Sequence, residues 1–164
     1  MAILLDILIF IATLLLQTSL LARFHILGFT PNLMLILVIT FVFYKKAYEA
    51  YIFAFLAGLV LDTLSAGPFG LHVIIYLLIV FAGTVILNED QTKLSKLFSM
   101  VFATAAASVF YMALWFYLSY SSGRFTASGF LFAIGQITAT IIFFAIFMPF
   151  LKRFFLWQKR IERA

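Results

Sequence analysis

The sequence predicts an all-α integral membrane protein, folded as a compact bundle of six transmembrane helices. Of its 164 residues, 66% are hydrophobic and only 10% are charged, whereas a soluble domain is about 25% charged. The apolar residues fall into six runs that are separated by short connections. No Pro/Gly/Ser-rich linker marks a domain boundary. We therefore expect one transmembrane domain over residues 1–151, followed by a basic, aromatic cytoplasmic tail over 152–164.

A helix needs about 20 predominantly apolar residues to span a membrane. The six predicted helices cover residues 3–22, 31–44, 47–64, 69–87, 97–120 and 128–151. The first lacks a basic segment before it and is too long for a signal peptide, so we interpret it as a retained span. The second would reach only about 21 Å at 1.5 Å per residue. It is either a crossing that starts earlier, at residues 24–29, or a half-crossing held inside the bundle.

Lysine and arginine residues predict the orientation, because short cytoplasmic loops are enriched in them. With both termini in the cytoplasm, nine of the 11 Lys and Arg residues lie inside, and only Arg23 and Arg124 lie outside. This asymmetry favours an even number of crossings. The net charge of +5 thus reflects the basic residues of the predicted cytoplasmic segments, and it does not indicate binding to nucleic acid. The tail is expected to contact anionic lipid headgroups or, alternatively, a cytoplasmic partner.

Asp62 lies in an otherwise apolar helix, toward its outer end. An ionisable residue in a membrane span is costly and marks a candidate functional site. Steps of four residues back from Asp62 reach Gly58, Ala54 and Ala50, which places all four residues on one ridge of the helix. Small residues allow a neighbouring helix to approach closely. We therefore predict that another helix packs against this ridge.

Polar residues, glycines and a proline gather at the predicted outer end of the bundle. Gly67-Pro68 is a turn signal, and the fourth helix is expected to begin near Pro68, with its unpaired amide groups toward the outer face. Asp62 either caps that helix or takes part directly in binding, and His72 is either a satisfied histidine or a ligand. The candidate outer-face residues are Asn32, Gly58, Asp62, Gly67, Pro68, Gly70 and His72.

Two further pairs of small residues predict close helix packing. Ala103 and Ala107 share one face of the fifth helix, and Gly135 and Ala139 share one face of the sixth. Packing inside the bundle explains both pairs, although either could instead receive the transmembrane helix of a partner. Gln17 and Gln136 are expected to form hydrogen bonds between helices.

The sequence contains none of the motifs that would indicate an enzyme or a metal site. It lacks H-E-x-x-H, G-x-S-x-G and P-loop motifs, which mark metalloproteases, hydrolases and nucleotide-binding proteins. It has no cysteine, and its two histidines lack ligand spacing. Asp6 lies near the opposite face of the membrane from Asp62, so the two cannot form a catalytic carboxylate pair. We therefore expect no catalytic activity, cofactor or metal.

Residues 31–85 resemble MreD, a family of bacterial rod shape-determining membrane proteins. The resemblance rests on the motifs PNLMLILV at 31–38, FLAGLVLD at 55–62 and GPFGLH at 67–72, with a basic pair between the first two. The length, the six-helix plan and the basic tail also agree. The family often has Asp after the proline of the first motif, whereas this chain has Asn32. A carboxylate role at that position is therefore absent here.

The resemblance implies a non-enzymatic scaffold of the cell-elongation complex in the bacterial inner membrane. It implies binding to MreC, which has one span and a large outer domain, and work alongside the MreB filament. RodA and a class B penicillin-binding transpeptidase are further implied partners in peptidoglycan synthesis. The implied fold is similar to that of the S-components of energy-coupling-factor vitamin transporters.

That similarity raises an alternative function, a solute-binding transporter subunit. Its pocket would lie on the outer side and be lined by Asp62, His72 and Asn32, which are few polar groups for recognising a vitamin-sized ligand. A membrane enzyme or an ion-conducting protein is a third hypothesis. A single acid at this end and the absence of a metal-ligand set argue against it.

Overall fold

The computed structural model describes residues 2–20, 31–44, 47–64, 69–86, 93–121 and 127–163. Within these ranges the chain forms six α-helices and no β-strand, which confirms the all-α prediction. A π-helical segment, Leu16–Leu20, continues directly from the first helix. The helices are α1 (Ala2–Leu15), α2 (Leu33–Tyr44), α3 (Ala47–Leu64), α4 (Leu71–Ile86), α5 (Lys93–Ser121) and α6 (Ala127–Arg163).

The short helix α2 is the centre of the bundle. It packs against each of the other five helices, and every residue from Leu33 to Phe41 is buried. Its sequence is apolar on all sides, as expected of a helix that is enclosed by others. The structure thus holds this helix inside the bundle. The alternative of an earlier start concerns residues 24–29, which lie outside the described part of the chain.

The five surrounding helices carry large apolar side chains on their outer surface. Exposed examples, one from each helix, are Ile3, Phe55, Phe81, Phe102 and Ile146. Soluble monomers rarely expose apolar patches beyond about 300–600 Å². An exterior of this kind is instead compatible with contact to lipid.

Two helical segments among the described residues are long and apolar enough to cross a membrane. They are Ala47–Leu64 and Ile134–Gln158. Shorter apolar helical segments are Ile3–Ser19, Leu33–Tyr44, Leu71–Val85 and Phe102–Leu114. Length and composition alone therefore support the membrane class, while the number of crossings stays a prediction.

Two helices extend beyond the ranges that their apolar runs predict. α5 begins at Lys93 rather than at residue 97, and α6 continues to Arg163 rather than ending at 151. Lysine and arginine are good helix formers, so a helix need not stop where its apolar run stops. Pro149 lies inside α6, and although proline lacks a backbone N–H, the helix continues past it.

The predicted basic tail is helical through Arg163 and packs against the bundle on one side. Leu151, Phe155 and Gln158 are buried, at the spacing of one helical face. Lys152 and Arg153 lie on the exposed side of the same helix. Contacts of this segment with lipid or with a cytoplasmic partner stay a prediction.

Candidate functional site

Asp62, near the end of α3, caps the amino terminus of α4. Its Oδ2 accepts hydrogen bonds from the backbone N–H groups of Gly70, at 2.9 Å, and Val73, at 3.3 Å. Its Oδ1 accepts one from the backbone N–H of His72 at 3.0 Å. The first N–H groups of a helix have no partner within the helix, and a negative charge at this end is favoured by the helix dipole. One buried carboxylate thus satisfies three backbone donors.

The side chain of His72 also contacts Asp62. Its Nδ1 lies 2.8 Å from Oδ1 of Asp62, and both residues are buried. In the tautomer that carries its proton on Nδ1, His72 donates this hydrogen bond to the carboxylate of Asp62. The His72 ring then meets the ring of Tyr76 edge-on, with centroids 6.2 Å apart. Asp62 therefore sets the orientation of His72 as well as the start of α4.

Two glycines allow α3 and α4 to meet at this point. A Cβ atom on Gly58 would lie 2.5 Å from Cα and 2.6 Å from the backbone N of Val73, which is too close for any larger residue. Gly70 has a φ of +92°, a conformation that glycine adopts at little cost. Gly58 is thus required by the approach of two backbones, and Gly70 by the turn that enters α4.

The ridge of small residues on α3 lies inside the chain's own fold. Ala50 and Ala54 have no exposed surface, and Asp62 is 3% exposed. At Gly58 the neighbouring helix is α4 of the same chain. The helix expected against this ridge is therefore an internal one there, and the ridge at Gly58 leaves no room for the helix of a partner.

A second polar cluster surrounds the amino terminus of α2. Oδ1 of Asn32 accepts hydrogen bonds from the backbone N–H of Leu35 and from the hydroxyl of Tyr76, both at 3.0 Å. The backbone N–H of Asn32 donates to Oγ1 of Thr140 in α6 at 3.0 Å. Asn32 is thus a local cap of α2 that also ties this helix to α4 and α6.

Gln17 completes the cap of α2 from the π-helical segment. Its Oε1 accepts a hydrogen bond from the backbone N–H of Leu33 at 2.7 Å, which agrees with its predicted role between helices. π-helical turns inside α-helices occur frequently at functional sites. The backbone carbonyl of Gln136 accepts a hydrogen bond from the hydroxyl of Thr140 in the same helix. A hydrogen bond from the Gln136 side chain to another helix stays a prediction.

Tyr76 connects the two polar clusters and was not predicted from the sequence. It lies four residues after His72, on the same face of α4. A contact path runs from Asp62 through His72 and Tyr76 to Asn32. A tyrosine inside an otherwise apolar helix is a usable signal, because a buried hydroxyl usually finds a partner.

The remaining predicted site residues fall elsewhere. Gly67 and Pro68 lie outside the described residues, and α4 begins at Leu71, three residues after the predicted start. Ala103 and Ala107 line an apolar groove between α2, α4 and α5. The other predicted small-residue pair, Gly135 and Ala139, is half-buried on α6.

A separate polar pair lies toward the opposite end of the bundle. Nε2 of Gln158, in the last turns of α6, donates a hydrogen bond to Oδ1 of Asp6 at 3.0 Å. Both side chains are buried. The pair joins α1 to the end of α6. The sequence predicts that Asp6 and Asp62 lie near opposite faces of the membrane. It does not indicate Gln158 as the partner of Asp6, because these two residues are 152 positions apart.

An apolar exterior around buried polar helix caps defines a helical membrane protein whose site serves helix packing. A family model for MreD, described as rod shape-determining protein MreD, matches residues 1–157. The chain belongs to the MreD family, which confirms the resemblance inferred from residues 31–85 and extends it over almost the whole chain. Neither a curated protein nor a solved structure matches the chain significantly.

Proposed function

We propose that this chain is a non-enzymatic scaffold of the bacterial cell-elongation complex. It binds MreC in the inner membrane and, with RodA and a class B penicillin-binding transpeptidase, supports peptidoglycan synthesis and rod shape. Membership of a shape-determining family supports this function. The geometry supports it through one observation: the polar side chains of Asp62 and Asn32 are engaged in holding helix ends together. Polar side chains that hold helix ends in this way are suited to a rigid scaffold.

The proposed topology is six crossings with both termini in the cytoplasm. The caps of α2 and α4 then lie near the outer face. The amino terminus of α5 and the end of α6, which carry most of the basic residues, then lie near the inner face. The strong Lys/Arg asymmetry supports this orientation. The short helix α2 crosses as a buried centre rather than as a lipid-facing span.

The transporter alternative is less well supported by the geometry. It requires Asp62, His72 and Asn32 to present polar atoms to a ligand, but these residues bond to one another's helices. The apolar groove between α2, α4 and α5 lies toward the other end of these helices. A ligand site for a polar vitamin would need a few convergent polar groups in its lining.

The surface that we propose for the helix of MreC is one face of α6. Gly135 and Ala139 are half-buried, and Ile142 and Ile146 are exposed. These four residues recur at a spacing of one helical face. A small-residue step followed by exposed isoleucines suits the close approach of a single transmembrane helix. The ridge at Gly58 is already occupied by α4, so the partner needs an outer face such as this one.

The primary test is affinity purification of the tagged chain from native membranes, with mass spectrometry of the proteins that accompany it. Recovery of a single-span MreC-type protein, with RodA or its transpeptidase, is the expected result. Recovery of paired ATPases with a coupling membrane subunit would instead make the chain a transporter component.

A matched pair of variants tests the proposed face. We expect the double substitution Gly135→Leu and Ala139→Leu to reduce recovery of MreC strongly, while Ala12→Leu, at an exposed position on α1, leaves it unchanged. Thermal unfolding in detergent checks that both variants are folded. Full MreC recovery by a folded double variant would move the contact to another face of the bundle.

A further inference from the structure

The last part of α6 presents basic side chains on a surface that the bundle holds in place. Leu151, Phe155 and Gln158 are buried, and these three residues lie on one side of the helix. The ring of Phe155 stacks on that of Tyr44, at the end of α2, with centroids 5.8 Å apart. The amide of Gln158 donates a hydrogen bond to Asp6. The opposite side of this segment therefore has a fixed direction, away from the bundle.

The side that faces away from the bundle carries both cations and apolar side chains. Its exposed residues are Lys152, Arg153, Leu156, Trp157 and Arg160. Leu156 is 44% exposed and Trp157 is 51% exposed. Arg153 and Arg160 lie about two helical turns apart on one face, with Leu156 between them. Basic residues interleaved with leucine and tryptophan are typical of a helix face that lies in the membrane interface.

The charge of this face is open to an anionic partner. Among the side chains that the structure describes, no carboxylate forms an ion pair with Lys152, Arg153 or Arg160. Asp6 packs against the same segment, but it lies on the buried side, where it is bonded to Gln158. Three cations on one exposed surface therefore favour a ligand that carries negative charge.

The position of this face favours a lipid as the anionic partner. It continues directly from the apolar exterior of α6, where Ile146 and Phe150 are exposed, so the cations begin where the apolar surface ends. Tryptophan is enriched at the level of the headgroups, and basic residues near the membrane surface attract anionic lipids. An acidic polypeptide would match the cations alone, whereas a lipid also matches the exposed side chains of Leu156 and Trp157.

We propose that the exposed side of α6 from Lys152 to Arg160 binds anionic phospholipids. The cations contact the headgroups, and Leu156 and Trp157 enter the apolar layer beside them. Charge complementarity selects the lipid, because the basic side chains distinguish an anionic from a zwitterionic headgroup. The site is independent of MreC binding, since the face proposed for MreC ends at Ile146. Variants of either face leave the residues of the other unchanged, so the two proposals can fail separately.

The test is retention of lipid by the purified chain, measured by native mass spectrometry after exposure to defined vesicles. One set of vesicles contains phosphatidylglycerol and the other only phosphatidylcholine. We expect preferential retention of phosphatidylglycerol. The double substitution Arg153→Gln and Arg160→Gln is expected to weaken that preference about fivefold per residue changed, which corresponds to about 1 kcal/mol per charge. Equal retention of both lipids by the unaltered chain would overturn the proposal.

A charge-retaining variant is the matched control for this test. The double substitution Arg153→Lys and Arg160→Lys keeps both positive charges, so we expect it to keep the preference for phosphatidylglycerol. Thermal unfolding in detergent checks that both double variants are folded. An unchanged preference in the folded glutamine variant would overturn the assignment. An equal loss in the lysine variant would also contradict it, because charge would then not be the cause.

Photo-cross-linking in native membranes identifies what lies against this face. A photoreactive amino acid in place of Leu156 is compared with the same amino acid in place of Ala12, at an exposed position on α1. We expect lipid adducts at both positions, with anionic headgroups enriched at residue 156. The same lipid composition at both positions would count against the proposal. Efficient cross-linking of a polypeptide, rather than lipid, at residue 156 would replace it with an acidic protein partner.

Discussion

The capped end of the bundle and the end that carries the groove are held together by different interactions. At the capped end, Asp62 and Asn32 hold the starts of α4 and α2 with directed hydrogen bonds, and Gly58 brings two backbones into contact. Toward the other end, α5 separates from α4, and an apolar groove opens between them. The polar pair there joins α1 to α6 instead.

This difference indicates which end of the molecule is held by directed contacts and which end is less closely packed. Hydrogen bonds require fixed distances and angles, so substitutions at the capped end should lower the stability of the bundle most. Apolar contacts are not directional, so substitutions in the groove lining should cost less stability. The predictions below test this contrast, beginning with the largest effect.

Removal of the Asp62 carboxylate should have the largest effect on stability. We expect Asp62→Ala to lower the free energy of unfolding by about 4 kcal/mol, because hydrogen bonds to a charged group contribute about 1.5–3 kcal/mol each. Asp62→Asn keeps one acceptor oxygen and should lose about half as much. Reversible unfolding in mixed micelles measures both values. A loss below 1 kcal/mol for Asp62→Ala would contradict the capping role.

The close contact between α3 and α4 should be nearly as sensitive. We expect Gly58→Ala to cost about 3 kcal/mol, because its Cβ atom would meet backbone atoms that cannot move independently. Gly83→Ala is the matched control, since its Cβ would lie 2.5 Å from Cγ1 of Val42, a side-chain atom. That variant should lose about 1 kcal/mol and be rescued by Val42→Ala. Equal losses at both glycines, measured by thermal melting, would count against this distinction.

The neutral cap of α2 should be less sensitive than the charged cap of α4. We expect Asn32→Ala to cost about 2 kcal/mol, because it leaves the N–H of Leu35 and the hydroxyl of Tyr76 without their acceptor. Asn32→Asp keeps the Oδ1 acceptor that both bonds use, so it should lose no more than about 1 kcal/mol. The resistance of the two variants to proteolysis in membranes compares their stabilities. An aspartate variant as unstable as the alanine variant would be inconsistent with this cap.

The polar pair near the groove end should show the smallest effect. Asp6→Asn retains an acceptor for Nε2 of Gln158, and we expect a loss of about 0.5 kcal/mol or less. Gln158→Leu removes the donor and should cost about 1 kcal/mol, at the low end of the range for a lost buried hydrogen bond, since the acid then stays buried without that bond. Intrinsic fluorescence during denaturation reports both changes. A larger loss for Asp6→Asn than for Gln158→Leu would show that the charge, rather than the bond, is what matters there.

Residue patterns in the sequence predict much of the capped end. The four-residue spacing from Ala50 to Asp62 identified a ridge for close packing, and the Gly-Pro turn that follows suggested a cap. Gln17 was recognised because an amide inside an apolar helix needs a partner. In contrast, Tyr76 and Thr140 were missed, because their partner Asn32 is 44 and 108 residues away in the sequence. Helical spacing describes neighbours within one helix and carries no information on such pairs.

The sequence by itself determined the membrane class, the six helical runs, the family and the importance of Asp62, because these follow from local composition and spacing. Only the tertiary structure decided that α2 is enclosed on all sides, that the ridge at Gly58 meets α4 of the same chain, and that a groove opens beside α5. Those features depend on which helices are neighbours. In an almost uniformly apolar chain, many pairings bury similar surface, so a few directed hydrogen bonds and close backbone contacts select among them.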